Sequence, residues 1–205
     1  MTASVDYRIF HAFNEFARDH TWLAHAFQGL ETIGIALYGV AVLMLWLATE
    51  PGEERKGKIA ALSGTASAAL SLLINQVIGN AIWHRPRPYE SHPSVYHLSH
   101  SHDPSFPSDH ASAAFGIAFG IYFIDRRVGR LFLFVAGLIG IGRVIVGAHY
   151  LTDVLASLLI SIVAAALVVR FGRTFLQRAV RLLERASDPV VTPVHRRLRR
   201  RTTAS

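Results

Sequence analysis

Twenty-five consecutive residues, Ile59 to Trp83, carry no charge. About 20 apolar residues suffice to carry a helix across the roughly 30 Å hydrocarbon core of a bilayer, so this run predicts a membrane span. Thr32 to Thr49 is likewise uncharged and ends at Glu50-Pro51-Gly52, and Val154 to Val169 forms another such block. Leu131 to about Ala148 is interrupted only by Arg143, while Ala111 to Ile124 is 14 residues long, which places the start of its helix earlier, near Ser108. Apolar residues make up 51% of the chain and mean hydropathy is +0.32. Because they come in blocks rather than with a polar face every 3.6 residues, the expected fold is all-α, a polytopic membrane helical bundle of about five transmembrane helices.

The two ends differ from these spans. Within residues 5–28, Val5, Ile9, Phe13 and Phe16 recur at helical spacing beside Phe10, Trp22 and Phe27, but Asp6, Arg8, Glu15, Arg18 and Asp19 interrupt them. This predicts an N-terminal amphipathic helix, lying in the interface or packed on the rest of the protein. It lacks the basic-then-apolar start of a cleavable signal peptide. Beyond Arg170 the chain is basic, first amphipathic with Phe171, Phe175, Leu176, Leu182 and Leu183, then rich in proline and arginine and expected to be disordered. The division predicted is a membrane-embedded domain over 1–170 and a basic tail over 171–205.

The net charge of +7 and pI near 10.4 come largely from that tail, where ten arginines lie between Arg170 and Arg201. A basic tail without a basic groove points to anionic lipid headgroups rather than nucleic acid. There is no cysteine, which excludes disulfides and thiolate metal sites. With five spans, the loop at 50–58, the turn at 125–130 and the tail share one side, and all are basic. The positive-inside rule makes that side cytoplasmic, so the 84–110 loop and the turn at 149–150 face outward from the plasma membrane.

The outward face gathers the candidate chemistry. Residues 84–110 are polar and broken by five prolines, long for a connection without a function. Arg143 lies inside an apolar run, where an ionisable group costs roughly 2.5–3.5 kcal/mol on insertion scales and faces a cavity or a partner. His149 and Asp153 are four apart, the spacing at which a carboxylate can hold one imidazole nitrogen while the other points at a substrate. Ser108 is a good N-cap for the third span, whose first amides would cradle a phosphate. Arg87 and Arg143 would clamp the equatorial oxygens of a pentavalent phosphorus. His149 can attack phosphorus in line and His110 can protonate the leaving oxygen, with water then hydrolysing the phosphohistidine and no metal or other cofactor required. A second reading of the loop, in which His92, His97, His100 and His102 bind a metal, rests on His100-x-His102.

These segments resemble the signature of the type 2 phosphatidic acid phosphatase superfamily: Lys-x6-Arg-Pro, Pro-Ser-Gly-His, then Ser-Arg-x5-His-x3-Asp. Arg87-Pro88, Pro107-Ser108-x-His110 and Arg143-x5-His149-x3-Asp153 match in order and spacing. The resemblance implies His149 as nucleophile, Asp153 as its orienter, His110 as acid, and Arg87, Arg143 and Ser108 as phosphate ligands. Asn80 stands at the lysine position, Asp109 at the glycine and Gly142 at the serine. Asn80 and Asp109 therefore join the candidate phosphate-binding residues, and Arg85 is the expected replacement for the missing lysine charge. The short chain, amphipathic start and Arg-Pro-Arg-Pro look like the bacterial undecaprenyl-diphosphate phosphatase branch. The expected activity is hydrolysis of undecaprenyl diphosphate to undecaprenyl phosphate. Its rivals are a phosphatidate or phosphatidylglycerophosphate phosphatase and a non-catalytic lipid-phosphate binding or transport protein.

Overall fold

The computed structural model describes residues 4–49 and 55–202, with side chains as far as Ser187. The described residues form helices and contain no strand: α1 (Val5–Asp19), α2 (Thr21–Ala48), α3 (Lys56–Val77, extended by a π turn over Ile78–Ile82), α4 (Pro88–Ser91), α5 (Asp109–Tyr122), α6 (Arg126–Ile145), α7 (Leu151–Phe171) and α8 (Arg173–Thr202). Four stretches are long and apolar enough to cross a membrane: α2, α3 with its π turn, α6 and α7. The remaining expected span, α5, has 14 residues and a length of about 21 Å at 1.5 Å per residue. It forms the centre of the bundle, packed against α3, α6 and α7.

That central position follows from small residues. On α5, a Cβ at Gly116 would stand 2.7 Å from the Ala68 Cα, and one at Gly120 would stand 2.6 Å from the Ser63 carbonyl. Facing them, α3 buries Ala60, Ser63, Gly64, Ser67, Ala68 and Ser71. The serines that would be costly in an apolar seam donate within their own helix, Ser67 Oγ to the Ser63 carbonyl at 2.7 Å and Ser71 Oγ to the Ser67 carbonyl at 2.8 Å. Backbones can then approach closely, which in lipid replaces the hydrophobic drive lost between apolar helices.

Of the two readings of the N-terminal helix, the structure shows the packed one. Ser4 caps α1, its Oγ accepting from the Tyr7 amide at 3.2 Å. Phe10, Asn14 and Ala17 form a stripe buried against the bundle, whereas Val5, Ile9, Phe13 and Phe16 point outward. The apolar residues that advertise the helix in the sequence are thus its outer face. The first span begins earlier than expected, since α2 starts at Thr21 and runs about 42 Å.

At the opposite end of the bundle, Asp125 caps α6, accepting from the amides of Arg127 at 2.9 Å and Val128 at 3.2 Å, and pairs with Lys56 at 3.1 Å. The expected disordered tail is corrected: its backbone continues as α8 to Thr202. The buried Glu184 holds this helix to α3, accepting from Arg55 Nε at 2.6 Å and Lys58 Nζ at 3.2 Å, while Leu176 and Val180 are buried on the same face. Residues 50–54 of the expected basic loop lie outside the described residues, as do the side chains of the last arginines.

The seam predicts opposite signs for one substitution at two glycines. Gly120→Ala must push α3 and α5 apart and should destabilise the protein by about 1–3 kcal/mol. Gly137→Ala meets nothing within 4 Å and should raise stability by roughly 0.5–1 kcal/mol through helix propensity. Thermal unfolding of the two variants in the same detergent checks both.

Candidate active site

The α6–α7 turn is longer than the sequence suggests, because α6 stops at Ile145, three residues early. Gly147 takes φ +77°, and a Cβ there would stand 2.5 Å from the Tyr96 carbonyl. A left-handed residue at a close backbone approach calls for glycine. The turn delivers His149 into the bundle, where it is buried.

Two guanidiniums meet its Nε2: Arg87 Nη1 at 3.3 Å, from the start of α4, and Arg143 Nη2 at 3.2 Å, from the last turn of α6. Arginine has donors and no acceptor, so Nε2 must accept and the proton must sit on Nδ1. Nδ1 in turn donates to the Ser105 carbonyl at 2.7 Å. Burial holds the imidazole well below the ordinary histidine range, and the charges of Arg143 and Arg87 act in the same direction. The nitrogen between the arginines therefore carries an unprotonated lone pair that the two guanidiniums share.

The expected direct hydrogen bond from His149 to Asp153 is corrected. His149 lies before α7 rather than on it, and its Nδ1 is 3.8 Å from Asp153 Oδ2. That oxygen is occupied by Ser105 Oγ at 2.6 Å and the Tyr150 amide at 2.9 Å, and Oδ1 by Arg85 Nη1 at 2.6 Å. Ser105 thus bridges the pair: its hydroxyl holds the carboxylate and its carbonyl holds the imidazole. Sequence reasoning missed it, although it lies three residues before Ser108.

Arg85 is not directed toward His149 as a substitute phosphate ligand. It bonds Asp153, Thr152 Oγ1 at 2.8 Å and, on α1, Asp6 Oδ2 at 2.6 Å, with its guanidinium 3.9 Å above the Tyr150 ring. Ser108 is the N-cap of α5, its Oγ accepting from the Ala111 amide at 3.5 Å. His110 follows within the first turn, and among the described residues no hydrogen bond fixes its ring. Asp109 is held on α3 by Asn75 at 2.8 Å and Gln76 at 3.2 Å. Asn80 is exposed and bonds Gln76 at 2.9 Å, away from the arginines.

Each clamping arginine also has a carboxylate that the sequence did not reveal. Arg87 donates through Nη2 to Asp103 Oδ2 at 2.9 Å and through Nε to the Asp103 carbonyl at 3.0 Å. Arg143 forms an ion pair with Glu31 of α2, which also accepts from Ser99 Oγ at 3.2 Å. The Arg143 Nε remains buried with no hydrogen-bond partner, a spare donor suited to an oxyanion. The loop above is ordered by α1 and α2: the Tyr96 amide donates to Asn14 Oδ1 at 3.0 Å, and Gln28 Nε2 donates to the Leu98 carbonyl at 3.0 Å. Of the loop histidines, His97 and His100 pack edge to face, and His97 stacks on Tyr89. Among the described residues no three His, Asp or Glu side chains gather as a metal site would require.

The model of the PAP2 superfamily matches residues 60–176, a stretch that contains all three motif segments. The chain belongs to the PAP2 superfamily. Undecaprenyl-diphosphatase BcrC of Bacillus subtilis is 30% identical over 183 residues, covering 88% of this chain and 92% of that relative. Two solved structures share the PAP2 fold at 23% identity, each covering 82% of this chain: Aquifex aeolicus LpxE, with a TM-score of 0.62 over 97% of its own chain, and a transmembrane PAP2-type phosphatidylglycerolphosphate phosphatase from Bacillus subtilis, with 0.57 over 85%. The protein is therefore a membrane protein of a phosphatase family.

Two outcomes are expected for this PAP2 site. NMR titration of the His149 ring in the free protein should give a midpoint below about 6.5, the ordinary value; the group stays neutral as pH falls through that point, because protonation would bury a third positive charge. Ser105→Ala should lower kcat roughly ten- to hundredfold with little change in KM, the loss expected for a hydrogen bond to a charged group, as steady-state kinetics can show.

Proposed function

We propose that the protein hydrolyses undecaprenyl diphosphate to undecaprenyl phosphate at the outer face of the cell membrane, through a phosphohistidine. The observation that carries this reading is the unprotonated His149 Nε2 between Arg87 and Arg143. The relative named for that activity, aligned over 88% of the chain, supports the choice of substrate.

In the first step the terminal phosphoryl group enters between the guanidiniums in place of the carboxylates of Glu31 and Asp103. The His149 lone pair attacks phosphorus, the bond to the bridging oxygen breaks, and His110 gives its proton to the departing undecaprenyl phosphate. Charge developing on the equatorial oxygens is met by Arg87, Arg143 and the amides at the start of α5, capped by Ser108. In the second step water attacks the phosphohistidine, gives a proton to His110, and releases inorganic phosphate with His149 restored. Fixed guanidiniums supply the stabilisation that a metal ion supplies elsewhere, so the reaction as written uses no metal. Asp153 and Ser105 keep the proton on Nδ1 throughout the attack, and Asp109 and Asn80 would act at the rim of the cradle through the polar groups of Asn75 and Gln76.

Sidedness follows from charge. Arg55, Lys56, Lys58, Arg126, Arg127, Arg130, Arg170 and Arg173 all belong to the end of the bundle away from His149. By the positive-inside rule that end and the basic tail are cytoplasmic and the site faces outward.

The test is phosphate release by the purified protein in detergent from undecaprenyl diphosphate beside phosphatidate, with His149→Ala as control. Release from the diphosphate that falls to background in the variant, persists in chelator and is blocked by vanadate is the expected result. Release from phosphatidate alone would move the substrate; none from either would leave a lipid-phosphate binding protein. Strong loss with chelator would overturn the metal-independent mechanism.

A further inference from the structure

The end of the bundle away from His149 holds a cavity of about 800 Å³ where α3, α5, α7 and α8 meet. Its walls include Phe123, Ala166 and Val169, and its rim carries Lys56, Arg170 and Arg173. Lys56 shares its charge with Asp125 at 3.1 Å, the carboxylate nearest this rim among the observed pairings. Arg170 lies over the Phe171 ring at 5.5 Å, and among the described residues neither Arg170 nor Arg173 has a carboxylate partner. Both are exposed.

The depth of this cavity in the membrane is set by α8. Leu176, Val180 and Glu184 face α3, while Phe171, Phe175, Leu182 and Leu183 are exposed on the outer side, Phe171 and Phe175 by 75% and 74%. A basic helix with one face on protein and aromatic and leucine side chains on the other lies in the interface plane, its apolar residues reaching the boundary between headgroups and acyl chains. The cavity beneath its first turns therefore has apolar walls at acyl depth and a cationic rim at headgroup depth. Water gains few partners on such walls, and a free anion would leave them uncovered. An amphiphile with a negative headgroup satisfies both.

We propose that this cavity is a binding site for one anionic glycerophospholipid, its phosphate between Arg170, Arg173 and Lys56 and an acyl chain along Phe123, Ala166 and Val169. The site is separate from the catalytic residues. Only its assignment to the cytoplasmic leaflet rests on the orientation proposed above.

Native mass spectrometry of the full chain in detergent, titrated with phosphatidylglycerol or phosphatidylcholine of matched acyl chains, tests it. One phosphatidylglycerol should be retained in preference to phosphatidylcholine, and retention should persist in His149→Ala. The double variant Arg170→Gln/Arg173→Gln should weaken retention roughly tenfold or more, from the contribution of each basic residue near an anionic headgroup. Ala166→Phe, which fills the wall and keeps every charge, should weaken it as well. Arg178→Gln/Arg181→Gln, equal in charge but outside the cavity, should not. Phosphate release from detergent-solubilised substrate should be unchanged in the cavity variants, so failure here is distinguishable from failure of the catalytic reading. Equal retention of both lipids, equal loss in Arg178→Gln/Arg181→Gln, or displacement by millimolar inorganic phosphate would overturn the proposal.

Discussion

Two buried guanidiniums aimed at one imidazole nitrogen are the constraint on which this fold turns. Arg87 and Arg143 are each 2% exposed, and His149 is as deeply buried. Removing a cation from water costs several kcal/mol unless it is paired and hydrogen-bonded, and two like charges on one acceptor add their repulsion. The compensation comes from Asp103 in the loop and Glu31 on α2. This explains why the long connection between Trp83 and α5 is ordered. It must hold Asp103 beside Arg87, and it does so through Tyr89, whose hydroxyl donates to the Ser101 carbonyl at 2.7 Å and accepts from the Ser101 amide at 2.9 Å. In the proposed reaction a phosphate with two or more charges would substitute for both carboxylates at once.

Much of this was legible in the sequence, for reasons that differ by element. The spans were readable because a bilayer forbids charge over their length. Arg143, His149 and Ser108 were readable because their spacing recurs in a family. Ser105 was not: its contribution to His149 is a backbone carbonyl, which has no sequence signature, and its hydroxyl matters only after the loop closes on α7. Glu31 stands immediately before the uncharged run that starts at Thr32, whereas α2 begins ten residues earlier and carries it into the bundle. Arg85 was misread because charge alone does not say which anion is nearest, and Asp6, the carboxylate that draws it aside, is 79 residues away in the chain.

That pairing gives α1 a place in the site. Asp6 accepts from Arg85, from Thr152 Oγ1 at 2.6 Å and from the Thr152 amide at 3.3 Å, next to Asp153. One face of α1 therefore touches the network around Asp153, and the other presents Val5, Ile9, Phe13 and Phe16 to the surroundings. A helix built this way is held by the bundle through Phe10 and Asn14, while its outer apolar face stays uncovered. The amphipathic pattern in the sequence records that outer face and not the attachment.

The short central helix sets the depth of the chemistry. At about 21 Å, α5 falls short of the roughly 30 Å hydrocarbon core, and its first residue, Asp109, sits level with Asn75 and Gln76, below the π turn that carries α3 on to Ile82. The loop and α1 roof that recess, and α5 can be short because its backbone is shielded by neighbours on every side rather than by lipid. In the function proposed above, a phosphate at its first turn would be held beneath the surface of the bundle, away from bulk water, where guanidinium and helix-terminus interactions are least screened. The proposed amphiphilic substrate would suit that geometry better than a soluble one, its headgroup reaching the recess while its chain stays in the bilayer.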